Sequence, residues 1–163
     1  MYLIKTARML FVILCFIIAP FQLISAQTGI EKTICADINA IIAAFKTGKS
    51  GTYADYSKPL TGRDLYESKM HIQGFEKASC NTQYSIHKIE SWFMGKDSNS
   101  TKQLFDKLTA VLKDCYPTYE FKSEVEENYE IAVYQEQAYR STRILLEYYS
   151  TDNKIKLSVI RMP

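Results

Sequence analysis

Two runs near the end of the chain decide the fold class: Thr142-Arg143-Ile144-Leu145-Leu146-Glu147-Tyr148-Tyr149 and Ile155-Lys156-Leu157-Ser158-Val159-Ile160. Both are rich in the aromatic and β-branched residues that fit a pleated, half-buried surface. Between them, Asp152 and Asn153 tolerate positive φ, the chemistry of a two-residue hairpin turn. A third strand-like run, Ile131 to Tyr134, precedes them, so the chain closes with three antiparallel strands.

Upstream lies an acidic stretch, Glu124-Val125-Glu126-Glu127, which reads as a solvated loop that discourages edge pairing. Before it, Leu104, Phe105, Leu108, Val111, Leu112 and Cys115 fall on one helical stripe that Pro117 ends. Ser100 and Gln103 have the spacing of a capping box at its start. Two alternating segments come earlier still. Tyr66, Ser68, Met70 and Ile72 share one face, as do Cys80, Thr82, Tyr84 and Ile86, with residues 74–78 as the connection of an antiparallel hairpin. The second of these strands is extended through Ile89 and Trp92 to Phe93.

Ile34, Ile38, Ile41, Ile42 and Phe45 recur at helical spacing, which predicts a first helix over residues 29–46. Thr28 and Glu31 make its capping box, and Gly48 its stop. From Thr47 to Arg63 the composition is that of a loop, unusually long for a compact domain. The order α-ββ-α-βββ predicts an α+β domain, with an antiparallel sheet of about five strands and two helices on one face. The apparent doubling has no sequence repeat behind it.

Residues 1–26 read as a secretory signal peptide. Lys5 and Arg8 open it, the apolar run Met9 to Ala19 follows, and Ile24-Ser25-Ala26 closes it before Gln27. Pro20 and Gln22 interrupt the run short of the ~20 apolar residues that a spanning helix needs. Leu14 stands where a lipoprotein reading of Cys15 requires a small residue. Residues 27–163 then form one domain. Of 20 Lys plus Arg in the whole chain, Lys5 and Arg8 leave with the leader, so 18 balance the 18 Asp plus Glu. A neutral domain has no bulk field for nucleic acid or anionic lipid, and its partners must be recognised locally.

Cys35, Cys80 and Cys115 remain, disulfide material in an oxidising compartment. Cys80 with Cys115 is the favoured pair, since both sit at ends of regular elements, and closing that loop stabilises by about 3.8 kcal/mol. Cys35 is then the spare thiol. No metal site is expected: there is no C-x-x-C pair and only His71 and His87.

Candidate chemistry is sparse. Thr47-Gly48-Lys49-Ser50 has Ala43 where a phosphate-binding loop needs glycine, and a helix where it needs a strand. Cys80 with His71 or His87 makes a nucleophile–base pair that lacks an orienting group. Glu124, Glu126, Glu127 and Glu130 lack the Asp/Asn/Gly pattern of a calcium loop. Asn99-Ser100-Thr101 is a glycosylation sequon. Tyrosine is in excess, and Tyr53 and Tyr56 lie in the long loop without evident core duty, which makes them the candidate contact residues. The expectation is an exported, periplasmic or extracellular, non-enzymatic protein that needs no cofactor and binds a protein or cell-envelope component. A small secreted hydrolase and a carrier of an apolar ligand are the alternatives.

Overall fold

The structure is a computed structural model and describes residues 29–62, 64–76, 78–82 and 86–163. The signal-peptide reading and the cap at Thr28 therefore lie outside the described residues, as do Arg63 and Tyr84. The first helix, α1, covers residues 29–46. A short 3-10 turn, Ser50–Thr52, leads into β1 (Ala54–Pro59), β2 (Leu65–Ser68), β3 (Ser79–Asn81) and β4 (His87–Met94). Helix α2 (Ser98–Cys115) follows, then β5 (Tyr119–Glu126), β6 (Tyr129–Glu136), β7 (Thr142–Tyr149) and β8 (Lys154–Arg161).

The strands make one antiparallel sheet in the order β1-β2-β3-β4-β8-β7-β6-β5. A helix followed by four strands thus occurs twice, and the two fourth strands, β4 and β8, meet at the centre. The α+β class stands, but among the described residues the strands number eight, not about five, and the order is α-ββββ-α-ββββ. Three expectations account for the difference. The long loop holds β1, whose pairing with β2 is interrupted between Asp55 and Pro59. The extended second hairpin strand is two strands, β3 and β4, paired with each other. The acidic stretch is the end of β5, an edge strand whose charges mask its strand period.

One face of the sheet carries the core. Ile89, Val159, Ile144 and Tyr134 stand in one row across β4, β8, β7 and β6; Ser91, Leu157, Leu146 and Ala132 form the next, and all eight are buried. Both helices lie over this face. Phe45 of α1 packs on Tyr53 and His87, with centroids 4.9 and 5.9 Å apart. Phe105 of α2 sits 5.8 Å from Tyr148, and the Tyr134 hydroxyl donates to the Thr109 carbonyl at 2.7 Å. Leu104, Leu108 and Leu112 of the predicted stripe are fully buried, as are Ile34, Ile38 and Ile41 on α1.

Asp97, not Ser100, caps α2. Its carboxylate accepts from the Ser100 N–H at 2.8 Å, satisfying one of the free amides of the first turn. Those bonds from Ser100 hold the Asp97 carboxyl below its usual value. Gly95 precedes the cap because a Cβ there would fall on the Thr101 hydroxyl. The last hairpin turn is longer than expected: four residues, 150–153, separate β7 from β8, with Asn153 at φ +50°.

The disulfide joins Cys35 to Cys115, with a Cα separation of 6.3 Å, and Cys80 is free. This overturns the pairing of Cys80 with Cys115. Cys80 lies in β3 on the helix-facing side opposite Ile89, fully buried beneath the helices. The two helices run side by side instead, as Glu31–Lys107 (3.7 Å) and Tyr116–Asn39 (3.1 Å) also show, and their cysteines meet.

Candidate binding face

Side chains alternate along a strand, so every second residue of β4 to β8 points away from the helices. Ladder register arranges these in rows. One row holds Met94, Lys154, Tyr149, Tyr129 and Glu126; the next holds Trp92, Lys156, Glu147, Ile131 and Glu124; a third holds Glu90, Ser158, Leu145, Val133 and Lys122. Among the described residues no helix covers this face.

Its centre is an ion network. Lys156 Nζ reaches Glu147 Oε2 at 2.8 Å and Glu90 Oε1 at 3.3 Å, and Lys88 Nζ meets Glu90 at 2.7 Å. The hydroxyls of Tyr129 and Tyr149 both donate to Glu147 Oε1 at 3.0 Å. Glu147 is consequently only 6% exposed although it belongs to the open face. Burial opposes the charge on Lys156, but its bond to Glu147 and the fields of Glu147 and Glu90 outweigh it and raise its pKa. Burial and the neighbouring Glu147 likewise push the Tyr129 and Tyr149 hydroxyls up.

Aromatic rings flank this network. Lys154 Nζ lies 4.7 Å from the Trp92 ring and 4.8 Å from that of Tyr149, and Lys156 Nζ lies 5.3 Å from Trp92. Tyr129 and Tyr149 pack at 5.1 Å. Trp92, Met94, Lys154 and Glu76 line a groove of about 590 Å³ at this end, and Met94 is 48% exposed. The Glu76 N–H donates to the Trp92 carbonyl at 2.6 Å, which pins the groove wall. Such a surface offers flat aromatic area beside fixed charges; Glu147, with three donors already on it, is not poised as a free base.

The expected contact tyrosines separate. Tyr53 is fully buried, packed on Phe45, with its hydroxyl 2.5 Å from His87 Nδ1. It therefore has the core duty that the sequence did not disclose, because the turn at residues 50–52 folds it inward. Tyr56 stays 49% exposed, edge-on to Tyr66 at 4.8 Å.

Cys80 and His87 share the helix side of neighbouring strands without facing each other in the register, and burial pushes the Cys80 thiol up to about 12 and pulls His87 below its ordinary value. A thiol held protonated is a poor nucleophile. His71 is exposed and on no strand. Glu130 pairs with Lys102 at 3.2 Å, while Glu124 and Glu126 project from β5 on the open face. No group of three or more metal-ligating side chains occurs among the described residues, and no described helix is long and apolar enough to cross a membrane. Gly48, at φ +66°, ends α1 as a helix stop, and Asn99 is exposed in the first turn of α2.

The open-face cluster escaped sequence reading because it is assembled by register. Trp92 and Tyr149 are 57 positions apart. The available signal was their strand parity, opposite to that of Ile89 and Tyr148. Comparison with family models, curated proteins and solved structures finds no match to this chain.

Proposed function

We propose that the chain is an exported, non-enzymatic binding protein that presents the open face of its sheet to a protein partner. The observation that carries this reading is the cluster of Trp92, Met94, Tyr129 and Tyr149 around the Glu147–Lys156–Glu90 network. Trp, Tyr and Met are the residues that concentrate binding energy at protein interfaces, and a large uncovered patch of them marks an interaction site. The fixed ion network lies beside it, where charge complementarity sets orientation more than affinity. Export is supported by the leader pattern of residues 1–26 and by the Cys35–Cys115 disulfide, which persists in oxidising compartments.

The test exploits the single tryptophan, Trp92. A photo-crosslinker at Met94 identifies the partner in cell-envelope extracts, and purified partner is then titrated against the protein. Intrinsic fluorescence of the parent should change saturably, and by titration calorimetry Trp92→Ala with Tyr149→Ala should weaken binding by tenfold or more without altering the melting temperature by more than a few degrees. Equal partner binding by the double variant would refute this face as the interface.

A further inference from the structure

The open face carries a second feature four residues along β7 from Glu147, roughly 13 Å away. Here a depression of about 370 Å³ is lined by Glu120, Lys122, Val133, Gln135, Arg140 and Arg143, with Met162 beside them. Its polar wall is fixed from below by Gln135, which is only 9% exposed. Gln135 Nε2 donates to the Arg140 carbonyl at 2.9 Å and to the Thr142 carbonyl at 3.1 Å, so both amide hydrogens are used. Its Oε1 is thereby left to accept Arg143 Nε at 2.7 Å. That bond anchors the guanidinium of this lining residue by its inner nitrogen and uses neither terminal nitrogen.

Arg140 contributes through its backbone as well. It adopts φ +51°, a left-handed conformation that is uncommon outside glycine, asparagine and aspartate. The turn that requires it closes with the Arg140 N–H on the Glu136 carbonyl at 3.1 Å and presents the Arg140 carbonyl to Gln135. Strain of this kind, held in place by surrounding bonds, gathers at ligand sites. Among the described residues neither arginine has a carboxylate within ion-pair distance, although Arg140 adds to the field that, after the bond and charge of Lys122, holds the Glu120 carboxyl below its usual value. Lys122 has one, pairing with Glu120 at 2.9 Å. Three cations and one carboxylate therefore leave this depression with two net positive charges, on a domain whose formal charge is zero.

We infer that this depression is a binding site for a phosphate monoester, with the Arg140 and Arg143 guanidinium groups on the phosphoryl oxygens and Val133 and Met162 against the organic part. The planar guanidinium fork matches phosphoryl oxygens in pairs, and a monoester near neutral pH carries about −1.5 to −2 charges, the complement of the excess here. Gln135 is a positioning residue: it fixes the direction of Arg143 without reaching the ligand. The inference is independent of the protein-binding reading, because it uses none of Trp92, Tyr149 or Glu147.

Titration of the intact protein with inorganic phosphate and with glycerol phosphate, at ionic strength held constant with chloride, tests it. The backbone N–H resonances of residues 140–143 in a two-dimensional nitrogen–proton spectrum are the readout in the parent and in every variant, with the side-chain Nε–H of Arg143 as a second reporter where that residue is kept. A saturable shift in the millimolar range or tighter is expected, weakened at least tenfold in Arg140→Gln and in Arg143→Gln. The same shift with succinate at the same concentrations would overturn phosphate as the ligand, and a response that is linear, or unchanged in both variants, would overturn the site. Vesicles containing phosphatidic acid form a second arm. Sedimentation with them that depends on Arg140 and Arg143 assigns the phosphate to a lipid headgroup, whereas response to glycerol phosphate alone assigns it to a soluble ligand. Should Arg143→Gln unfold the protein, Arg143→Lys keeps the charge but not the fork and must still lose affinity.

Discussion

Cys35 on α1 and Cys115 at the end of α2 are bonded across 80 residues of chain, so the disulfide ties the two helix-plus-four-strand halves together. Closing a loop of that length restricts the unfolded chain by about 4.5 kcal/mol on a chain-entropy account. Replacing both cysteines with serine should lower the guanidinium midpoint by an amount equivalent to about 3–4 kcal/mol. Non-reducing peptide mapping should link the Cys35 and Cys115 peptides. In the chain from Gln27 onward, one thiol, that of Cys80, should react with a thiol reagent only after unfolding. Rapid labelling of Cys80 in the native protein would contradict its burial.

Tyr53 and Tyr56, three residues apart, should respond oppositely to truncation. Tyr53→Ala empties a fully buried site against Phe45 and should cost about 3–5 kcal/mol. Tyr53→Phe, which loses only the bond to His87, should cost about 1 kcal/mol. Tyr56→Ala should stay within about 0.5 kcal/mol of the parent, since its ring is half in solvent. Urea denaturation of the three variants measures all of this, and equal losses at the two positions would contradict the inward fold of the turn.

His87 gives the protein an acid-sensitive step. Burial, and to a smaller degree the Arg161 guanidinium, pull its pKa below the ordinary histidine value of about 6.5. The unfolded chain thus binds a proton here at higher pH than the folded one. Its contribution to stability is complete above about pH 6.5 and is lost as the pH falls from there toward the folded value. Unfolding free energies between pH 8 and 5 should decline for the parent, and the difference between parent and His87→Gln should shrink as the pH falls. A constant difference across that range would show that His87 titrates alike in both states.

What was legible in the chain was whatever a local period could carry. Ile34 to Phe45 and Leu104 to Leu112 repeat at helical spacing, and both helices lie where that spacing puts them. Thr142 to Tyr149 is β7 residue for residue, because its buried and half-buried side chains alternate along its first five positions. β1 and the break between β3 and β4 were illegible: β1 is interrupted in its pairing near Pro59, and β3 is only three residues long. β5 was hidden by Glu120, Lys122, Glu124 and Glu126, which mark an edge as readily as a loop. Pairing of cysteines and assembly of the open face depend on which elements become neighbours. No local pattern contains that, so Cys35–Cys115 and Trp92–Lys154–Tyr149 appear only in three dimensions.

Glu147 should be the most stability-critical residue of the open face. It is nearly buried, yet it accepts from two tyrosines and pairs with Lys156, whose charge it helps to hold. Removing one member of a buried pair leaves its partner uncompensated, which costs about 3–5 kcal/mol, whereas replacing both with apolar residues of similar size is often neutral. Glu147→Leu should therefore destabilise strongly, by somewhat less than the full range because Glu90 still faces Lys156 at 3.3 Å. Adding Lys156→Met should recover most of the loss, and the double-mutant cycle would then show a coupling of about 1–3 kcal/mol. The recovered variant also separates fold from function. It should melt close to the parent while losing the oriented charges beside Trp92, so its partner should associate more slowly at low salt. A double variant no more stable than Glu147→Leu alone would mean that the tyrosine hydroxyls, rather than the ion pair, are what keep this carboxylate inside the sheet face.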